Sequence, residues 1–242
     1  MLLFSERLDY ILNLGVSEIS SLIESTLLDP LVGVDRFRDI ILGAARWRFR
    51  CVVIPVSVLG FLHKLALDHD VRICSVIGFP SGFQPLKSKV YEVEESCRFN
   101  VFEVDVVPNF VFVRSGLWNR VLEELLAIVD LARSCGVGVK VIVEAPLLSD
   151  EELGNLVDVI YKVRASFVKT STGVYSKGGD PATVYRLYKI ASSRGLKVKA
   201  AGGIRSFLDL ALAYTFGADV IGSSSAIAIM EDYLRFKSSK AG

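Results

Sequence analysis

Eight short runs rich in β-branched residues recur along the chain, and longer amphipathic stretches separate them from end to end. The runs cover 22–27, 51–56, 71–77, 101–107, 137–144, 166–171, 196–200 and 218–222. Between them, 117–135 carries Trp118, Leu122, Leu125, Leu126 and Val129 at helical spacing, which predicts an amphipathic helix. A strand followed by a helix, repeated, requires parallel pairing through right-handed crossovers. Eight such units within 242 residues fit an α/β fold of the (β/α)8 TIM-barrel type. The first twenty residues predict an additional N-terminal helix, and an open doubly wound sheet is the alternative architecture. At 51% hydrophobic, the chain can bury one large core. It has no linker or low-complexity tract, so residues 1–242 read as a single domain.

Strand parity sorts the side chains. Glu103 and Asp105 share one face of their run, and Val104 and Val106 share the other. Lys140, Ile142 and Glu144 alternate with Val139, Val141 and Val143, as Lys197 and Lys199 do with Leu196 and Val198. The apolar set must lie under the helices, so the charged set is expected inside the barrel. Barrel interiors are normally filled by branched apolar residues, so inward charges mark a polar site. Glu103, Lys140 and Lys197 also fit a buried structural ion-pair network.

Two of these charges stand out. Lys169 lies in Ser166 to Gly173 (SFVKTSTG) and Lys199 in Leu196 to Arg205 (LKVKAAGGIR). Lysine is almost never fully buried without a partner or a purpose. Two lysines in successive strands should sit close, each making the other harder to protonate, which yields a neutral, nucleophilic amine near pH 7. Gly202-Gly203 follows the seventh run, and Gly222 to Ser225 follows the eighth. Barrels often bind phosphate on these two loops, through backbone N–H groups and a helix N-terminus. Gly173 can add to the same cradle.

Other chemistry is less favoured. A formal net charge of +1 gives no global field for nucleic acid. The run Arg46-Trp47-Arg48-Phe49-Arg50 reads as the basic end of a helix, complementing its dipole, rather than as a nucleic-acid contact. The amino terminus does not read as a secretory signal, and no apolar run is long enough for a membrane span, so a cytoplasmic protein with no membrane partner is expected. Cys51, Cys74, Cys97 and Cys135 are scattered without a CxxC, and His63 and His69 read as ordinary helix residues. Neither a metal site nor a redox dithiol is expected. Glutamine occurs only at Gln84 and asparagine is sparse, a pattern of heat-adapted proteins.

Taken together, the stretches Val168 to Gly173 (VKTSTG), Val198 to Arg205 (VKAAGGIR), Glu103 to Val107 (EVDVV) and Cys74 to Gly82 (CSVIGFPSG) resemble the deoxyribose-phosphate aldolase family of class I aldolases. The Gly178-Gly179-Asp180-Pro181 turn resembles its archaeal branch. The resemblance covers nearly the whole chain. It implies Lys169 as the Schiff-base lysine, Lys199 as the lysine that depresses its pKa, and Asp105 as the proton-relaying carboxylate. It implies Gly173, Gly202, Gly203, Ser224 and Ser225 as phosphate-loop positions. It further implies reversible cleavage of 2-deoxy-D-ribose 5-phosphate to glyceraldehyde 3-phosphate and acetaldehyde, no cofactor or metal, and a homodimer or homotetramer. One departure stands out. The first strand of the family carries an Asp-x-Thr-Leu pattern, and here it reads Glu24-Ser25-Thr26-Leu27, which makes Glu24 a candidate relay member. Cys51 matches a family cysteine and reads as a small core residue.

Three other readings compete. A class I aldolase for another phosphosugar would use the same residues. An isomerase on the same barrel would need a carboxylate base and a neutral electrophile rather than two lysines. A non-catalytic phosphosugar-binding barrel would need none of Lys169, Lys199 and Asp105.

Overall fold

The structure, a computed structural model, describes residues 4–240. Its eight strands are β1 (Ile23–Thr26), β2 (Cys51–Val53), β3 (Ile73–Ile77), β4 (Glu103–Val106), β5 (Gly138–Ile142), β6 (Phe167–Lys169), β7 (Lys197–Ala201) and β8 (Val220–Ser223). They pair in sequence order, all parallel, and β8 returns to β1 through Ile23 opposite Ile221 and Glu24 opposite Gly222. The sheet is therefore a closed (β/α)8 barrel and not an open one. The additional N-terminal structure is two helices, α1 (Phe4–Asn13) and α2 (Val16–Ser21). The chain continues through α3 (Val34–Trp47), α4 (Leu59–Asp68), α5 (Leu86–Arg98), α6 (Phe110–Arg114), α7 (Trp118–Ser134), α8 (Asp150–Lys162), α9 (Pro181–Ser192), α10 (Phe207–Thr215) and α11 (Ala226–Lys240).

The parity expectation explains where the core sits. Val104, Val106, Val141, Val168, Val198 and Ala200 are fully buried and join the helices in one continuous apolar layer outside the barrel wall. Inside the wall, Cys51, Val53, Cys74 and Val76 form a small apolar cluster on the β2–β3 side. The rest of the interior mixes the buried charged residues with Ile142, Phe167 and Val220, which lie opposite Lys169, Lys140 and Lys199 in the strand register. Local sequence sets the helix starts: Asp180 accepts from Thr183 N at 3.0 Å and Pro181 occupies the first turn, so the Gly-Gly-Asp-Pro turn ends one loop and opens α9. Among the described residues, no helix is long and apolar enough to cross a membrane.

Four expectations need correction. Lys197, at the start of β7, is exposed and belongs to no buried network. Glu144 lies beyond the end of β5 in the left-handed region (φ 48°), and its carboxylate is bound by Thr172 and Ser176 of the loop after β6 rather than by the charged interior. Arg46 does sit in the last turn of α3, but Arg50 lies beyond the helix and enters the barrel. The cysteines are paired: Cys51 with Cys74 across β2 and β3, and Cys97 at the end of α5 with Cys135 after α7. Cys51 is thus a disulfide half as well as a core residue. Pairing between elements far apart in the sequence leaves no sequence motif.

The Cys97–Cys135 bridge spans 38 residues of chain, and closing a loop of that length stabilises by about 4 kcal/mol in the chain-entropy account. The double substitution Cys97→Ser and Cys135→Ser is expected to lower Tm by roughly 10 °C for a chain of this size. An unchanged Tm in calorimetry would show that the bridge does not constrain the unfolded chain.

Candidate active site

The register places the charged residues on neighbouring strands. Lys169, the last residue of β6, lies directly opposite Lys199 of β7. Asp105 of β4 lies opposite Lys140 of β5. All four are buried, as is Glu24 of β1. Their heads meet at the barrel axis. Asp105 Oδ2 accepts from Lys169 Nζ at 2.9 Å and from Lys199 Nζ at 2.6 Å. Lys199 also donates to Glu24 in a second short contact. Lys140 Nζ lies 2.7 Å from Glu103 and 3.3 Å from both Glu24 and Asp105 Oδ1. The structure thus gathers Lys169, Lys199, Asp105 and Glu24 into one cluster, with Glu103 and Lys140 beneath.

Space for this cluster comes from glycine. A Cβ on Gly222 of β8 would come within 2.9 Å of Lys199 Cε. A Cβ on Gly138 of β5 would come within 2.8 Å of Glu103 Cγ. Gly222 is therefore a wall residue that makes room for Lys199; β8 runs on to Ser223, and the loop begins at Ser224.

The electrostatics distinguish the members. Burial pushes the Lys169 amine down; Asp105 pulls it back and Lys199 lowers it further, leaving it below the ordinary lysine value. Burial alone would raise the Asp105 carboxyl. The facing ammonium groups of Lys169, Lys199 and Lys140 more than reverse this and hold it well below the usual carboxylate range. Lys140 goes the other way: despite burial, Glu24, Asp105 and Glu103 hold it above the ordinary value. One buried amine of the network is thus eased toward neutrality and another is locked as a cation. Among the described residues none donates a hydrogen bond to Asp105 Oδ1, which faces Lys140 only as an ion pair, so an acceptor lone pair remains beside the lysines.

At the C-terminal mouth, the loops after β6 and β7 are laced together. Thr170 Oγ1 and Ser171 Oγ both donate to Ala201 O, at 3.0 and 2.9 Å, and Gly179 N donates to Gly202 O at 2.9 Å. Gly202 and Gly203 have φ of 92° and 91°, and a side chain on Gly202 would strike Ser171 Oγ at 2.6 Å. Gly173 packs against Gly202, so the two glycine segments form one surface. Ser224 is exposed and Ser225 half-buried in the turn before α11, whose first helical bond is Ile229 N to Ser225 O at 3.0 Å. Gly173, Gly202, Gly203, Ser224 and Ser225 therefore all lie at the C-terminal mouth, as a phosphate cradle requires.

Sequence reasoning missed Glu144. Its buried carboxylate accepts from Thr172 N, Thr172 Oγ1 at 2.8 Å and Ser176 Oγ at 2.6 Å, tying the end of β5 to the loop that follows Lys169. The signal that could have found it is Pro146, two residues on, which has no backbone N–H to continue the ladder and so marks the end of the strand and of its period-two rule. On this side the mouth opens into a cleft of about 470 Å³ lined by Phe83, Phe110, Leu147 and Tyr175 with Arg114 and Glu144. One further group of ligand-type atoms, from Glu24, Cys51 and Cys74, lies within 4.8 Å of one another. The disulfide engages both sulfurs, which denies a metal its thiolates.

A closed parallel barrel with a lysine-filled centre and glycine-rich loops at its C-terminal mouth has the build of a lysine-dependent aldolase. No family model matches the chain. A deoxyribose-phosphate aldolase of Aeropyrum pernix is 43% identical over 220 residues, 89% of this chain and 90% of its own. One of Caldanaerobacter subterraneus subsp. tengcongensis is 33% identical over 220 residues, 90% of this chain and 95% of its own. Among solved structures, the tetrameric deoxyribose phosphate aldolase from Aeropyrum pernix superposes with a TM-score of 0.90 at 42% identity, covering 95% of this chain and 97% of that one. The chain belongs to the deoxyribose-phosphate aldolase family.

Proposed function

We propose that the chain cleaves 2-deoxy-D-ribose 5-phosphate reversibly to D-glyceraldehyde 3-phosphate and acetaldehyde, with Lys169 as the Schiff-base amine. The observation that carries this reading is the shared Asp105 oxygen: it holds two buried lysines in one place, one of them below its ordinary pKa. The neutral Lys169 amine adds to the aldehyde carbon of the open-chain sugar. Asp105 moves the protons needed to expel water, and the iminium that results is the electron sink. A base removes the C3 hydroxyl proton, the C2–C3 bond breaks and its electrons enter the iminium. Glyceraldehyde 3-phosphate leaves, and the enamine is protonated at C2. Water then hydrolyses the imine, releasing acetaldehyde and restoring Lys169.

In this reading Lys199 and Asp105 set the charge state of Lys169, and Glu24 holds Lys199. Gly173, Gly202, Gly203, Ser224 and Ser225 receive the 5-phosphate. Residues 1–242 act as one barrel unit in the cytoplasm, assembled as a homo-oligomer; support for assembly comes from the tetrameric solved relative.

The test is reductive trapping. Borohydride added with acetaldehyde is expected to place one ethyl group on Lys169, found by peptide mass mapping, and to inactivate the protein. Label confined to surface lysines with activity intact would defeat the assignment.

A further inference from the structure

The basic run at 46–50 ends in a residue that the chemistry above does not use. Arg50 precedes β2, and its backbone N donates to Ile23 O at 2.9 Å. Its side chain is only 16% exposed and rises from the barrel floor into the interior. The guanidinium forks onto Glu103, with Nη2 at 2.9 Å from Oε1 and Nη1 in a shorter contact with Oε2. Nη1 also lies 2.5 Å from Glu24 Oε1. The rings of Phe102 and Phe167 flank it, at 5.0 and 5.7 Å from their centroids. Such a fork between two carboxylates is beyond a lysine, whose ammonium is a point charge.

The contacts form a continuous chain from floor to mouth: Glu103, Arg50, Glu24, Lys199, Asp105, Lys169. Glu24 is its hinge, because one carboxylate oxygen faces Lys199 while the other faces Arg50 and Lys140. The extra methylene of Glu24 over aspartate gives the side chain the reach to serve both ends. Charge is then counted over every element facing this interior. Arg50, Lys140 of β5, Lys169 of β6 and Lys199 of β7 are cations; Glu24 of β1, Glu103 and Asp105 of β4 are carboxylates. From β3 only Cys74 approaches, 4.0 Å from Glu103 and held in a disulfide. Arg72 and Lys197 stack on the same two rings from outside but are exposed, where solvent compensates their charge.

We propose that Arg50 is a positioning residue of the active site. By holding Glu24 and Glu103 from the barrel floor, it completes an interior in which four cations face three carboxylates and leaves Lys169 without a counter-charge of its own. Lys140 and Arg50 share Glu24 and Glu103, Lys199 takes the rest of Glu24 and most of Asp105, and Lys169 has only the shared Asp105 oxygen. Losing one proton from Lys169 balances the interior. The catalytic meaning of that neutral amine rests on the aldolase reading; its charge state does not.

The test therefore reads the amine directly. Brief acylation with acetic anhydride at a series of pH values, followed by peptide mass mapping, gives the titration midpoint of Lys169 with no substrate present. Reductive trapping with acetaldehyde over the same pH range reads imine formation separately, so failure of the aldolase reading appears in the second assay and leaves the first intact. Arg50→Met is expected to raise the Lys169 midpoint by about one pH unit, since a cation roughly 10 Å away is removed. Arg50→Lys keeps the charge and is expected to stay near the wild-type midpoint. Glu103→Gln, with Arg50 in place, leaves four cations against two carboxylates and is expected to lower the midpoint. Coincident midpoints for Arg50→Met and wild type, with only Tm reduced, would make Arg50 a structural group and overturn the proposal. Should Arg50→Met not fold, Glu103→Gln decides: a midpoint that stays or rises overturns the charge count.

Discussion

Lys169→Met is expected to lower turnover of 2-deoxy-D-ribose 5-phosphate by at least about 10⁴-fold, because it deletes the nucleophile and no other amine can take its place. Lys199 is the nearest alternative, and its ammonium is engaged by both Glu24 and Asp105. The fold should survive the change. Without Lys169, the interior keeps Arg50, Lys140 and Lys199 against Glu24, Glu103 and Asp105, so no carboxylate is stranded. Methionine fills a similar volume without the desolvation cost of an ammonium, so Tm should hold or rise. Lys169→Arg is a sharper comparison. Guanidinium keeps its proton at every accessible pH, so this variant should be inactive throughout and less stable, with a permanent fourth cation in the interior. Residual activity above about 1% of wild type in Lys169→Met, with the substitution verified by mass, would place the nucleophile elsewhere.

The barrel was legible because period-two alternation is strict wherever strands are short and their outer faces are packed by helices. β4 and β5 show this most plainly: Val104, Val106, Val139 and Val141 take the outer layer, and Glu103, Asp105 and Lys140 turn inward. The same rule failed at the strand ends. Glu144 follows the last ladder pair of β5, where a left-handed backbone redirects its side chain, so parity no longer applies. Lys197 fails at the opposite end: it is inward by parity but too near the floor to leave solvent. Periodicity states which face a residue occupies and not how deep along the barrel it lies.

The lysine pair was legible for a further reason. Two charged residues in otherwise apolar strands can be reconciled with burial only if something answers their charge, and Asp105, inward on β4, is that answer. Arg50 escaped this logic because it belongs to a basic, aromatic run beside a helix end, where local sequence gives an adequate account of it. Its partners, Glu24 and Glu103, lie 26 and 53 residues away. The disulfides escaped for the same reason: pairing of β2 with β3 brings Cys51 to Cys74, and packing of α5 on α7 brings Cys97 to Cys135. The departure at Glu24 was visible, but its consequence depended on seeing Arg50 beneath it.

Lys199→Leu is expected to move the midpoint of imine formation upward by about two pH units. Both lysines donate to the same Asp105 oxygen, so their ammonium groups lie about 5 Å apart; at an effective dielectric near 20 their repulsion is about 3 kcal/mol, roughly two pKa units. The sign follows from which state the charge penalises. In the wild type, burial and Lys199 both disfavour protonated Lys169, while Asp105 favours it. Deleting Lys199 removes one lowering influence and gives Lys169 sole use of Asp105 Oδ2, so the amine holds its proton to higher pH. Near pH 7, reductive trapping by acetaldehyde should then be slower by about 100-fold, and much of that loss should return as pH rises through the new midpoint. The side chain itself is tolerable: leucine is shorter than lysine at the position that Gly222 leaves open, so no clash confuses the result. A purely positional role for Lys199 gives a different curve, with trapping depressed by the same factor at every pH. Coincident midpoints in the two proteins would thus remove Lys199 from the electrostatics of Lys169 and leave it as a proton donor or a packing group.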